Sequence, residues 1–257
     1  MGKPLTRRTV ARITALVTVG GSILLGWLVD AFDIDGAEEE SPDEEGPIPK
    51  DESVPLPRPD TAAGDKRVAD AIANRRSRRE YGTEPLTAAE LGQLLWAAQG
   101  ITERHQTAVD FRAAPSAGAT YPLELFVVIG DPGVDDLDPG IYHYDLHEHR
   151  LERIESGTVQ PELERVALDQ EWVGTAALDI VITAVDERTT QRYGRRGRQR
   201  YVPMEAGHVG ENIYLQAESL GLSTVAIGAF RDTPLRNLLG VPDSHRPLYI
   251  YPVGQRA

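Results

Sequence analysis

Residues 75–79 read RRSRR, in a chain whose formal net charge is −13. Guanidinium forks bind phosphate oxygens in pairs, and a serine hydroxyl adds a further donor. Arg75, Arg76, Ser77 and Arg79 could therefore clamp a small anion such as a cofactor phosphate. The same residues could equally form a solvated face where a helix ends, and from this segment alone the two readings stand even. A nucleic-acid surface is disfavoured, because the rest of the chain is acidic and would repel a polyanion.

Two further stretches suit a flat ligand. Ala114–Pro122 reads APSAGATYP directly before an apolar run. Its small residues let a backbone approach a ring closely, although an ordinary tight turn would use the same composition. Val225–Phe230 reads VAIGAF. Its Gly228 and Ala229 could aim backbone N–H groups at a ring nitrogen or simply satisfy packing. His143, His147 and His149 invite a metal site, but without a fixed carboxylate constellation they read as exposed turn histidines. His208 reads as a hydrogen-bonded structural histidine. With no cysteine in the chain there is no disulfide, no zinc–thiolate site and no thiol nucleophile.

The elements that must position these residues follow from periodicity. Lys66–Asn74 has helical spacing and ends at the arginines. Thr87 and Glu90 form a capping box opening a helix that stops at Gly100. Leu123–Ile129 and Leu178–Val185 are apolar runs suited to buried strands. Ile141–Tyr144 and Leu151–Ile154 form a hairpin. Met204–Leu220 is the longest helix, closed by Gly221. Ser223–Phe230 reads as a strand, Thr233–Leu239 as a short helix and Pro247–Val253 as a last strand. Helices and strands without strict alternation indicate an α+β domain.

Upstream of residue 66 the chain changes character. Basic Lys3, Arg7, Arg8 and Arg12 precede the uncharged run Ile13–Val29, about 25 Å if helical and near the short limit for spanning a bilayer. Residues 1–32 are expected to be a signal or membrane anchor, the basic flank placing the N-terminus inside and the catalytic domain outside the cytoplasm. Thr6–Val10 is also similar to a twin-arginine export signal. Residues 33–65, acidic and proline-rich, are expected to be a disordered linker. Residues 1–65 hold six Lys and Arg against thirteen Asp and Glu, so 66–257 is only mildly acidic. Lysine occurs only at 3, 50 and 66, a usage read as adaptation to high salt or as arginine-rich codon bias.

Together RRSRREY, PSAGATYPLE, EAGHVGENIYLQAESLGL and AIGAF, in this order, resemble the nitroreductase-like FMN flavoproteins, in their branch of SagB-type dehydrogenases that includes azoline oxidases of peptide maturation. The resemblance covers residues 66–257. It implies an α+β fold with a central mixed β-sheet flanked by helices, and a homodimer with FMN at the interface. It also implies ping-pong hydride transfer through FMN, on a small-molecule or peptide substrate. Carried over by position, Arg75, Arg76, Ser77 and Arg79 hold phosphate and ribityl oxygens. Pro115, Ser116, Ala117 and Gly118 reach the flavin, usually from the partner subunit. Gly228 and Ala229 face flavin N5, and Arg256 is the late basic residue for the phosphate. Arg78 falls outside the matched positions and is left to solvent. Where some azoline oxidases carry a Lys-Tyr base, this chain has Arg200-Tyr201. Arginine stays protonated, so Tyr201 is the candidate catalytic group, as an acid or anion-stabilising donor. Arg192, Arg195, Arg196, Arg198 and Arg200 form a flap over the flavin or a solvated salt-bridging loop. The competing expectation is an inactive flavin- or peptide-binding module tethered to a membrane.

Overall fold

Two apolar runs set the architecture. In the computed structural model, which describes residues 52–64, 66–105 and 109–257, Leu123–Ile129 (β4) and Leu178–Val185 (β7) pair antiparallel, from Leu123 opposite Ala184 to Ile129 opposite Leu178. Successive side chains point to opposite faces. Leu125, Val127, Ile180 and Ile182 thus enter one core cluster, and Phe126, Val128 and Val181 enter another. Both faces are covered, which is why these strands are apolar throughout.

Gly140–Asp145 (β5) and Arg150–Ser156 (β6) form the expected hairpin beside β4. His245–Gln255 (β9) lies beyond β7, and Leu222–Thr224 (β8) closes that edge. With Glu52–Pro55 (β1) the order is β1-β6-β5-β4-β7-β9-β8. Every neighbouring pair among the described residues is antiparallel, which corrects the expected mixed sheet. The reason lies in the connections: β7 starts opposite the end of β4, and β9 starts opposite the end of β7.

Ala88–Gln99 (α2) and Val202–Leu220 (α6) cover the first face, sending Leu91, Leu94, Leu95, Val209 and Ile213 into its core. Helices Gln160–Val166 (α3), Glu171–Gly174 (α4) and Asp232–Leu238 (α7) cover the second with Leu163, Val173 and Leu235. The capping box of α2 is present: the Glu90 N–H donates to Thr87 Oγ1 at 3.2 Å, and the Thr87 N–H donates to Glu90 Oε2 at 2.8 Å. Gly221 closes α6 with φ 79°, a left-handed conformation that glycine adopts without strain. The remaining elements are Val68–Asn74 (α1), the hairpin Ile101–Glu103 (β2) with Phe111–Arg112 (β3), and Glu187–Tyr193 (α5).

Two sequence expectations are corrected here. Of residues 33–65, expected to be a disordered linker, 33–51 lie outside the described residues, and order is seen from residue 52. There β1 extends the sheet edge along β6, Leu56 is buried, and the Asp60 N–H donates to Gln93 Oε1 at 3.0 Å. The expected strand Ser223–Phe230 stops at Thr224, leaving a lone two-bond bridge between Ile227 and Ile250. The chain turns away because the Ala226 N–H donates to the Tyr214 hydroxyl, at 2.7 Å, instead of to a strand. The expected anchor over 1–32 lies outside the described residues. Among those described, no helix is long and apolar enough to cross a membrane.

Candidate cofactor site

The arginine segment begins where α1 stops. Arg75 takes extended backbone (φ −56°, ψ 133°), and the Arg78 N–H donates to Thr224 O at 2.9 Å, pinning the segment to the end of β8. Ser77 Oγ lies 2.9 Å from the Tyr214 hydroxyl, the same oxygen that accepts from Ala226. The Arg75 guanidinium stands 4.9 Å over the Tyr214 ring. One tyrosine on α6 therefore joins the arginine segment to the 225–230 turn. On the far side, Arg79 lies 5.3 Å over Trp172 of α4, and Gln170 Nε2 donates to Ala229 O at 2.9 Å. Gly228 and Ala229 are exposed, and among the described residues no protein acceptor meets their N–H groups.

Beside this junction is a cavity of about 370 Å³ lined by Ser77, Arg78, Arg79, Glu80, Ser223, Arg256 and Ala257. Behind it Glu218 receives Lys66 at 2.7 Å and Arg256 at 2.8 Å, with Arg78 at 3.6 Å. Burial raises the Glu218 carboxyl, but hydrogen bonds from Lys66 and Arg256 outweigh it and hold the group below its ordinary range. Glu218 gathers three cations on one carboxylate, so positive charge is left over. Arg78 Nε and Ser223 Oγ are buried without hydrogen-bond partners. A cavity walled by Arg78, Arg79 and Arg256 fits an oxyanion such as a phosphate group, and the two orphaned donors are buried in that wall.

The structure redistributes the roles within RRSRR. Arg78 is turned inward and lines the cavity. Arg76 instead donates through Nη1 to Ala73 O at 3.0 Å and Arg75 O at 2.8 Å, capping α1. Arg256 borders the cavity while held by Glu218 and Leu222 O.

A second group gathers at the other end of α6. Residues 116–121 form a tight loop in which Gly118 (φ 62°), Ala119 (φ 53°) and Tyr121 (φ 43°) are left-handed. Side chains hold the loop in place. The Tyr121 N–H donates to Ser116 Oγ at 2.9 Å, Thr120 Oγ1 lies 2.8 Å from Thr189 Oγ1, and Arg112 stacks 4.3 Å over the Tyr121 ring. Arg192 donates to Gly118 O at 3.3 Å, and a Cβ on Gly118 would lie 2.5 Å from the Tyr193 hydroxyl. Tyr193 packs edge-on against Tyr201 at 4.9 Å. The basic stretch is helical, not an open flap: α5 is followed by a π-helical turn, Gly197–Tyr201, leading into α6. Such turns are frequent at functional sites.

Beneath this loop Glu205 is buried in the first turn of α6. Burial pushes its carboxyl up to about 7, against the opposing influence of neighbouring Ser116, Gln99 and the charge of Arg112. Among the described residues, no hydrogen bond or ring contact joins this group to the arginine group. Glu205 and Tyr214 are nine residues apart on α6, about 14 Å of helix rise, and Glu218 about 20 Å.

Sequence reasoning missed Tyr214, Glu218, Glu205, Trp172 and Gln170. A signal existed for the first two: they share the helical spacing of buried Val209, Gly210, Ile213 and Ala217. The histidines are corrected. His143 sits on β5 between Glu124 (2.9 Å) and Glu152 (3.3 Å), while His149 bridges the Tyr144 hydroxyl (2.7 Å) and Pro57 O (2.9 Å). His147 is exposed in the turn, and His208 is exposed on α6. Among the described residues no group of His, Asp or Glu is arranged to hold a metal ion.

Comparison with known proteins identifies the family. The nitroreductase family matches residues 72–255. A candidate nitroreductase of Methanocaldococcus jannaschii is 44% identical over 190 residues, 74% of this chain and 91% of its own. The trifolitoxin-processing protein TfxB of Rhizobium leguminosarum is 32% identical over 114 residues, 43% of this chain and 30% of that protein. The crystal structure of a candidate nitroreductase from Ralstonia eutropha superposes with a TM-score of 0.67 at 26% identity, covering 80% of this chain and 90% of the other. The chain belongs to the nitroreductase family.

Proposed function

We propose that this protein is an FMN-dependent oxidoreductase of the SagB-type dehydrogenase class, working as a homodimer. The observation that carries the reading is the cationic cavity walled by Arg78, Arg79 and Arg256, with unpartnered Arg78 Nε and Ser223 Oγ buried in its lining residues. Ser77, Arg78, Arg79 and Ser223 would hold the phosphate, with Arg256 at the rim. Arg75 and the turn at Gly228 and Ala229 would hold the ribityl chain and the ring. The group supplies hydride transfer, alternating between a donor and an acceptor, and the protein supplies orientation and electrostatics.

Pro115, Ser116, Ala117 and Gly118 stand at the far end of α6 from the cavity, which favours their reaching the ring from a partner subunit. Tyr201, held by Tyr193, is the hydroxyl that donates a proton or stabilises an anion on the substrate side. Arg200 remains protonated and cannot be a base. A peptide substrate is favoured by the SagB-like motifs and by similarity to a trifolitoxin-processing protein. Purified protein reconstituted with FMN should show the flavin absorbance bands and bleach with a reductant. Protein that stays colourless would overturn the reading.

A further inference from the structure

The basic stretch from α5 into α6 carries a one-sided charge. Residues 188–204 contain six arginines and no Asp or Glu, in a chain of net charge −13. Arg192, Arg195, Arg196, Arg198 and Arg200 are all exposed. Two of them are engaged locally: Arg192 donates to Gly118 O, and Arg196 stands 5.7 Å over the Tyr201 ring. Among the described residues Arg195 makes no ion pair or hydrogen bond. It borders a cavity of about 540 Å³ together with Arg198, Gln199, Pro203 and Arg246 of β9. No carboxylate lines this cavity, and it shares no lining residue with the arginine cavity near Glu218. One carboxylate does touch its arginines. Asp186 accepts from Arg246 Nε and Nη2 at 2.7 Å each, and Arg198 Nε lies 3.2 Å from the same group. Three guanidiniums therefore share one carboxylate, which leaves two positive charges at the cavity.

We propose that this cavity docks an acidic segment of the peptide substrate, with Arg195 and Arg198 each receiving a carboxylate. Arg246, fixed on Asp186, supplies a rigid wall. Guanidinium forks match carboxylate oxygens in pairs, the geometry that Arg246 and Asp186 already adopt. A long polyanion such as nucleic acid suits the site less, because the acidic remainder of the chain repels it. The π-helical turn that carries Arg198 and Gln199 ends at Tyr201, so the acidic residues would lie close along the peptide to the one that reacts. That the docked segment belongs to the substrate rests on the functional reading above; that the cavity takes carboxylates does not.

The test is fluorescence anisotropy with the full chain, before and after addition of FMN. The probe is a labelled, amidated peptide of alternating glutamate and glycine, and the control is its glutamine counterpart. The glutamate peptide should bind and the glutamine peptide should not, with affinity falling as salt rises. Arg195→Gln combined with Arg198→Gln should weaken binding about tenfold. Both side chains are exposed and Asp186 keeps Arg246, so this variant should fold, which a matched unfolding curve verifies. Arg165→Gln, the same charge change at an exposed position of α3, should leave binding unchanged. Excess FMN should not displace the peptide. Equal binding of the two peptides, an unchanged affinity in the double variant, displacement by FMN, or tighter binding of an oligothymidylate of equal charge each overturns the proposal. Charge-selective binding by protein that stays colourless with FMN would fail the flavin reading and leave the docking site standing.

Discussion

A guanidinium with a buried, unpartnered N–H in the wall of a cavity differs in kind from one on a solvated face. Arg78 Nε is in the first situation, and Arg76, capping the carbonyls of α1, is close to the second. The sequence showed that positive charge was concentrated at 75–79, but not which arginine turns inward. That depends on Glu218, far along the chain, and on the Thr224 carbonyl that pins Arg78. The division has a consequence that riboflavin, lacking the phosphate, can expose. Charge-assisted hydrogen bonds contribute about 1.5–3 kcal/mol each, so Arg79→Gln or Arg78→Gln should weaken FMN binding by roughly 10- to 100-fold. Riboflavin binding should change little. Equal losses for both ligands in a fluorescence-quenching titration would count against the phosphate assignment.

Among the elements, legibility followed the strength of the local signal. The α2 cap, the long α6 with Gly221 behind it, and the strands β4 and β7 could all be read because each carries a period or a cap within its own residues. β1 could not: four residues, Glu52–Pro55, have one half-buried side chain and gain their order from β6 and from Leu56 beyond them. The turn after Thr224 was misread for a related reason, since apolar VAIGAF has strand composition but its Ala226 N–H is claimed by Tyr214. The cap offers a direct measure of local determination. Thr87→Ala removes the acceptor for the Glu90 N–H and should destabilise the domain by about 1 kcal/mol. Thermal or denaturant unfolding should show that loss, while Thr87→Ser retains most of the stability.

At the scale of the molecule, one chain carries two candidate groups at opposite ends of α6, the arginine cavity near Glu218 and the strained loop near Glu205. If a homodimer completes each site from both subunits, damage to one half-site should be rescued by a subunit damaged only in the other. Arg79→Gln impairs the cavity. Gly118→Ala impairs the loop, because its φ of 62° disfavours a side chain and the Tyr193 hydroxyl occupies the space a Cβ needs. Each variant alone should bind FMN poorly. Mixed and re-equilibrated, half of the dimers pair one variant with the other, and each such dimer carries one site in which both contributions are intact. FMN capacity should then rise to about a quarter of the wild-type value, as two-fold symmetry requires. Unfolding profiles of the separate variants, matched to the wild type, establish that the rescue is of sites and not of folding. If mixing restores nothing while each variant alone binds poorly, no site is shared between subunits, and the assignment of the loop at 115–118 to the partner's flavin fails.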